Sequence, residues 1–199
     1  FVLSSTSSVY ANTPPVPFRE DSRTDAPLSP YAASKKSAEA VAFTYHHLHG
    51  IDVSVLRYFT VYGPAGRPDM SIFIFIRAIA EGVPITVFGD GRQERDFTYV
   101  DDIARGTVAA LRPLGYEIVN LGSDRPVVLW DVIKMIEDAL GKKARIEHAP
   151  MHAADVRATW ADVQRAETLL EWQPQVSIEE GIRRTVQWYN ENREWANDI

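Results

Sequence analysis

Ser29-Pro30-Tyr31-Ala32-Ala33-Ser34-Lys35 opens a stretch that runs to Gly50, and Val53-Ser54-Val55-Leu56-Arg57-Tyr58-Phe59 follows it. Ser before Pro is the chemistry of a helix start, with Ser29 as the cap and Pro30 at the first helical position. Gly50 is a stop signal, so the stretch predicts a helix from Pro30 to about His49. The segment after it is rich in β-branched and aromatic residues and reads as a strand. Upstream, Phe1-Val2-Leu3 reads as the middle of a buried strand that runs out into the hydroxyl-rich Ser4-Ser5-Thr6-Ser7-Ser8. A chain that opens this way, without an initiator Met, is expected to be preceded by further sequence. Strand, helix and strand in this order predict a parallel pair joined by a crossover helix.

The pattern continues outward. Residues 12–30 hold five of the twelve prolines and read as a long surface loop. Helices are predicted at Ser71–Glu81, Asp101–Leu111, Leu129–Leu140, Asp162–Leu170 and Ile178–Trp195. Strands are predicted at Ile85–Phe88 and Tyr116–Leu121, with Phe97–Val100 extended and a last strand at Arg145–His148. The strand at Tyr116–Leu121 is expected to return to the main sheet. Alternation is regular in the first half and more broken later, as a smaller α/β lobe would be.

Composition bounds the function. The chain has 199 residues, 45% hydrophobic and 24% charged, with a formal charge of -6. That balance argues against nucleic acid or an anionic membrane as partner, and no apolar run approaches a membrane span. Cysteine is absent, which excludes disulfides, thiolate catalysis and a Cys-type zinc site, and fits a cytoplasmic protein. No metal site is expected.

Tyr31 and Lys35 are four residues apart, so on a helix a phenol and an ammonium share one face, where the cation favours the phenolate. A Tyr four residues before a Lys is by itself close to a chance event, and a surface Lys covering an aromatic is the better reading of the pair alone. Context adds Thr6, twenty-five residues before Tyr31, in a hydroxyl-rich run at a strand's C-terminal end, where ligands bind in open α/β sheets.

Taken in order, Ser-Ser-Thr6, Val9-Tyr10, Ser29-Pro30-Tyr31-x-x-x-Lys35 and Leu56-Arg57-Tyr58-Phe59-x-Val61-Tyr62-Gly63-Pro64 resemble the extended short-chain dehydrogenases. Within them they are similar to the nucleotide-sugar epimerase and dehydratase group. Arg95-Asp96-Phe97-x-Tyr99-Val100-x-Asp102, Asn120-Leu121-Gly122-Ser123 and the tail from Asp155 to Ile182 resemble further blocks of that group. The likeness covers nearly the whole chain. It implies the C-terminal part of a doubly wound, Rossmann-like parallel sheet with a smaller α/β substrate-binding lobe. Residues 1–62 and 95–122 would belong to the NAD-binding domain, 63–94 and 123–178 to the lobe, and 179–199 to a C-terminal helix.

The resemblance also implies roles. Thr6, Tyr31 and Lys35 would be catalytic: Tyr31 the general base and acid, Lys35 the holder of the nicotinamide ribose, Thr6 the hydroxyl facing the reacting oxygen. Ser4, Ser5, Tyr58 and Phe59 would join Tyr31 and Lys35 around NAD. Ser7, Ser8, Thr60, Arg67, Val87, Phe88, Arg95 and Asp155 would face a UDP-sugar, with Phe88 on the uracil, Arg95 on the diphosphate and Asp155 near the ribose. The group often has Arg three positions before that Asp, where this chain has His152, so a second diphosphate arginine is not assigned. The Gly-rich turn that cradles the NAD pyrophosphate has no counterpart, since no G-x-x-G-x-x-G occurs. This chain is therefore expected to carry the nicotinamide end of the cofactor site and most of the sugar-nucleotide site. The Pro30–His49 helix resembles the group's dimer helix, and a homodimer is expected.

The implied reaction is transient oxidation of the sugar at C4. Thr60-Val61-Tyr62-Gly63-Pro64-Ala65-Gly66-Arg67-Pro68-Asp69-Met70 is similar to the glucuronate 4-epimerases, which makes UDP-glucuronate the first substrate expected. The alternatives are UDP-glucose, a fragment that binds the sugar nucleotide without turnover, and a net oxidoreductase. Dehydratases of the group carry Asp-Glu after the catalytic Thr, where this chain has Ser7-Ser8.

Overall fold

The computed structural model describes residues 1–10, 16–150 and 156–197. Three parallel strands form its main sheet: β1 (Val2–Thr6), β2 (Val53–Tyr58) and β7 (Tyr116–Leu121), in the order β1-β2-β7. Register sets Thr6 opposite Tyr58, and Ser5, Arg57 and Asn120 in one row across the sheet. The crossover from β1 to β2 is α1 (Pro30–His49). Its start is fixed by Ser29, whose hydroxyl accepts the Ala32 N–H at 3.1 Å. Its end is fixed by Gly50 in the left-handed region, at φ 64°. The buried residues of α1 are Ala32, Glu39 and Ala42: the two alanines let the helix lie close to the sheet, and Glu39 reaches into it.

Three short pairs extend the fold. β3 (Thr60–Tyr62) runs parallel to β6 (Phe97–Tyr99), β4 (Ile85–Phe88) runs parallel to β9 (Ile146–Ala149), and β5 (Glu94–Arg95) runs antiparallel to β8 (Val127–Val128). The helices after α1 are α2 (Ser71–Glu81), α3 (Val100–Ala109), α4 (Leu129–Leu140), α5 (Gln164–Leu170), α6 (Ile178–Glu191) and α7 (Arg193–Asn197). Helices α2, α4 and α6 bury Ile72, Ile76, Val132, Ile136, Ile182 and Tyr189 around Val87. A second core under the main sheet gathers Val9, Leu56, Phe59, Val119, Leu121 and Trp172. Each fully buried aliphatic or aromatic side chain contributes roughly 1.5–3 kcal/mol.

The return of Tyr116–Leu121 to the main sheet is as expected, and so are the limits of α1, α2, α4 and β4. Three expectations change. The helix expected over Ile178–Trp195 is two helices, because it stops at Asn192, whose ψ of 23° leaves the helical path. The strand expected to run out at Ser4 continues as β1 to Thr6, and a single 3-10 turn, Ser7–Tyr10, follows it. The stretch expected to be surface loop has a buried anchor in Phe18, which stacks on Tyr10 at 5.0 Å and exchanges backbone hydrogen bonds with Trp160 and Asp162. Among the described residues, no helix is long and apolar enough to cross a membrane.

Candidate active site

A cleft of about 710 Å³ opens where β1 and β2 end. Residues 4–8 form one wall, residues 58–67 another, and Tyr31, Met70 and Val100 complete it. The position follows from the topology, because loops leaving parallel strands at their C-terminal ends diverge and leave a crevice. Gly63 shapes the floor. Its φ is 151°, and a Cβ there would lie 2.5 Å from Val100 Cγ1, so only glycine lets the chain pass.

Thr6 is held at the mouth by a local turn, its Oγ1 accepting the Ser8 N–H at 3.1 Å and donating to Ser8 Oγ at 3.2 Å. Tyr31, at the second helical position of α1, is 51% exposed and faces the cleft. One turn on, Lys35 Nζ donates to the Ser4 carbonyl at 3.0 Å and lies 6.0 Å from the Tyr31 ring centre. A phenol, a cation and a hydroxyl thus converge from two elements. Tyr62 also lines the cleft, but it is buried, and burial pushes its phenol well above the ordinary tyrosine range.

On the opposite wall stand Thr60, half-buried, and Arg67, exposed. Arg67 forms a two-point pair with Asp69, Nη2 to Oδ2 at 2.5 Å and Nε to Oδ1 at 3.0 Å. Hydrogen bonding to Arg67 holds the Asp69 carboxyl below the usual carboxylate range. The fork that could take a ligand carboxylate is therefore already filled by one.

The structure brings Ser4, Ser5, Thr6, Ser7, Ser8, Tyr31, Tyr58, Phe59, Thr60 and Arg67 to this single cleft. Not all of them offer their side chains to it. The Ser5 hydroxyl turns inward to Glu39 at 2.6 Å, the Tyr58 hydroxyl pairs with Thr107 at 2.9 Å, and Phe59 is buried beside Tyr10 and Phe18. Phe88 and Arg95 do not line this cleft. Phe88 is exposed at the end of β4, while Val87 beside it is fully buried in the core and does not face a ligand as expected. Arg95 lies on β5, with Nη1 donating to the Glu94 carbonyl at 2.8 Å. Asp155 lies outside the described residues.

Two buried groups behind the site escape a reading of single motifs. Asp96 accepts backbone N–H groups of Ser123 at 2.6 Å and Ala161 at 3.0 Å, stapling two loops beside Arg95, and burial raises its pKa. Glu39 and Arg57 form a buried ion pair with Nη2 to Oε2 at 2.8 Å. The sequence carries one signal for it, an arginine in the middle of an apolar strand.

Comparison with known proteins identifies the family. The model of the NAD dependent epimerase/dehydratase family matches residues 1–122. A UDP-glucuronate 4-epimerase of Thermodesulfobacterium geofontis is 60% identical over 199 residues, which cover 100% of this chain and 61% of that protein. The structure of a UDP-glucuronic acid 4-epimerase from Bacillus cereus, in complex with UDP-glucuronic acid and NAD, superposes with a TM-score of 0.90 at 40% identity. That match covers 96% of this chain and 61% of the other. The UDP-glucose 4-epimerase of Thermotoga maritima with UDP-glucose gives 0.91 at 31% identity, covering 97% and 64%. The chain spans less than two thirds of the length of these relatives. By family match, by identity and by fold, it belongs to the NAD dependent epimerase/dehydratase family.

Proposed function

We propose that the full-length enzyme built on this chain interconverts UDP-glucuronate and UDP-galacturonate at C4, with NAD as its resident redox group. The meeting of Thr6 and Tyr31 at one cleft, facing Thr60 and Arg67, with Lys35 bound to the Ser4 carbonyl beside it, carries the reading. Donor chemistry at the strand end fits the nicotinamide half of NAD, since Lys35 sits 3.0 Å from the Ser4 carbonyl and presents an ammonium beside the Tyr31 ring. When bound, NAD supplies the oxidising and reducing capacity at the sugar carbon. Tyr31 takes the proton of the sugar 4-hydroxyl and returns it after the sugar has turned over in its pocket. Thr6 donates to the forming carbonyl oxygen, and Lys35 supplies the positive charge that faces the phenolate.

The carboxylate decides the substrate. Oxidation at C4 of a glucuronate makes a β-keto acid, which loses carbon dioxide when the C5–carboxylate bond aligns with the carbonyl π-system. Thr60 and Arg67 clamp the carboxylate out of that alignment, and Arg67 does so by exchanging Asp69 for the substrate. Exposed Phe88 is suited to stack on the uracil, and Arg95 to pair with the diphosphate. A homodimer through α1 accompanies this reading. Its outer face leaves Val41, Tyr45 and Leu48 exposed, Leu48 by 65%, and sedimentation showing a monomer would reject it.

The test of function compares both substrate pairs on the full-length enzyme and repeats the assay with Arg67→Ala. The expected result is preference for UDP-glucuronate, and loss of that preference with released carbon dioxide in the variant. Preference for UDP-glucose would reject the substrate. An unchanged variant would reject the clamp.

A further inference from the structure

Behind the cleft a buried polar cluster joins α1 to the sheet, and no step of the reaction above uses it. Glu39 is 1% exposed and lies two helical turns after Tyr31 and one after Lys35. Its Oε1 accepts Ser5 Oγ at 2.6 Å and Arg57 Nε at 2.9 Å, and its Oε2 accepts Arg57 Nη2 at 2.8 Å. Arg57 reaches on to Tyr10 Oη at 2.9 Å, and Tyr10 donates to Asn120 Oδ1 at 2.7 Å. Ser5, Arg57 and Tyr10 each lie on a segment that lines the cleft. Ser5 precedes Thr6, Arg57 precedes Tyr58-Phe59-Thr60, and Tyr10 ends the turn that carries Ser7 and Ser8.

We propose that Glu39 is a positioning residue for the epimerase reaction: with Ser5 on β1 and Arg57 on the paired β2 it fixes the height and rotation of α1 against β1, and so the spacing of Tyr31 from Thr6. The inference rests on the function proposed above. An apolar residue at 39 would fill the space but let the helix slide, because dispersion contacts change little over a few tenths of an ångström. A carboxylate gripped by a planar guanidinium on one side and a serine on the other has one geometry. The Lys35 contact with the Ser4 carbonyl is a second tie between the same two elements, at the cleft edge. Together they hold α1 at two points one helical turn apart.

The test uses the full-length NAD-loaded enzyme with S5A and E39Q. S5A removes one hydrogen bond and leaves the Glu39–Arg57 fork, so it keeps the fold even if E39Q does not. A shift of order 1 Å costs about 100-fold in rate, so kcat is expected to fall roughly 10-fold in S5A and about 100-fold in E39Q. KM for the UDP-sugar should stay within about two-fold, as when an interaction acts only on the chemical step. NAD content and far-UV circular dichroism should be unchanged in S5A. Crystals of S5A with NAD should show Tyr31 Oη displaced relative to Thr6 Oγ1. An S5A enzyme with parental kcat and parental Tyr31–Thr6 spacing overturns the proposal, as does a loss carried by KM alone. A parent enzyme that converts no UDP-sugar defeats the epimerase reading separately, and the crystal spacing then still decides the role of Glu39.

Discussion

Replacing Glu39 by Ala should cost far more stability than a typical single substitution. The variant leaves the Arg57 guanidinium buried, with Tyr10 Oη at 2.9 Å and the Glu20 carbonyl at 3.2 Å as its remaining partners. It also strands the Ser5 hydroxyl. Removing one member of a buried pair costs about 3–5 kcal/mol. At about 2–4 °C per kcal/mol for a chain of this size, the melting temperature should fall by roughly 6–20 °C. The double variant Glu39→Leu with Arg57→Met removes both charges and should recover most of that loss, because the cost lies in the unpaired ion. Acid should narrow the gap between parent and Glu39→Ala. Burial alone would raise the Glu39 pKa, but hydrogen bonds and charge from Arg57 outweigh it and hold it below the usual value. The pair's contribution is therefore complete above the unfolded carboxylate range and is lost as pH falls through the lower folded value. Thermal and urea melts followed by circular dichroism measure all three quantities. A single variant melting within about 2 °C of the parent, or a double variant no better than the single, would refute the reasoning.

Four further outcomes follow from the same geometry. Tyr31→Phe should lower kcat by about 10²–10⁴-fold with an unchanged melt, because it loses one exposed hydroxyl that acts as the acid and base; stopped assays with UDP-glucuronate check it. Asp69→Asn should tighten UDP-glucuronate by a few-fold and leave UDP-glucose unaffected, because it weakens the pair that occupies Arg67; binding calorimetry measures both. Gly91→Ala should destabilise by about 2–4 kcal/mol in urea melts, since it sets a Cβ against Trp130 Nε1 at a φ of 72°. No 4,6-dehydratase activity is expected, because Ser7 and Ser8 are not carboxylic acids that could protonate a leaving hydroxyl; mass spectrometry for loss of water from dTDP- or GDP-hexoses tests this.

Residues whose effect is local were legible. Ser29-Pro30 and Gly50 set α1 to its observed limits, and Tyr31 with Lys35 faced one way because helical spacing requires it. What escaped depends on contacts between distant segments. Glu39 and Arg57 are eighteen positions apart, and only the register of α1 on the sheet makes them a pair. Strands of two residues, such as Glu94–Arg95 against Val127–Val128, are too short to show a period. Phe18 is buried because Trp160 and Asp162 arrive beside it from far along the chain. The Asp69 grip on Arg67 needs the loop's own curvature, which two residues at i and i+2 do not declare.

In the proposed reaction C4 is inverted by oxidation and return of the same hydrogen, with Tyr31 moving only the hydroxyl proton. NMR of UDP-glucuronate incubated with the full-length NAD-loaded enzyme in deuterium oxide tests it directly. The expected product is UDP-galacturonate that keeps protium at C4, with no net rise in the NADH absorbance band. Deuterium at C4, or no conversion at all, would contradict it.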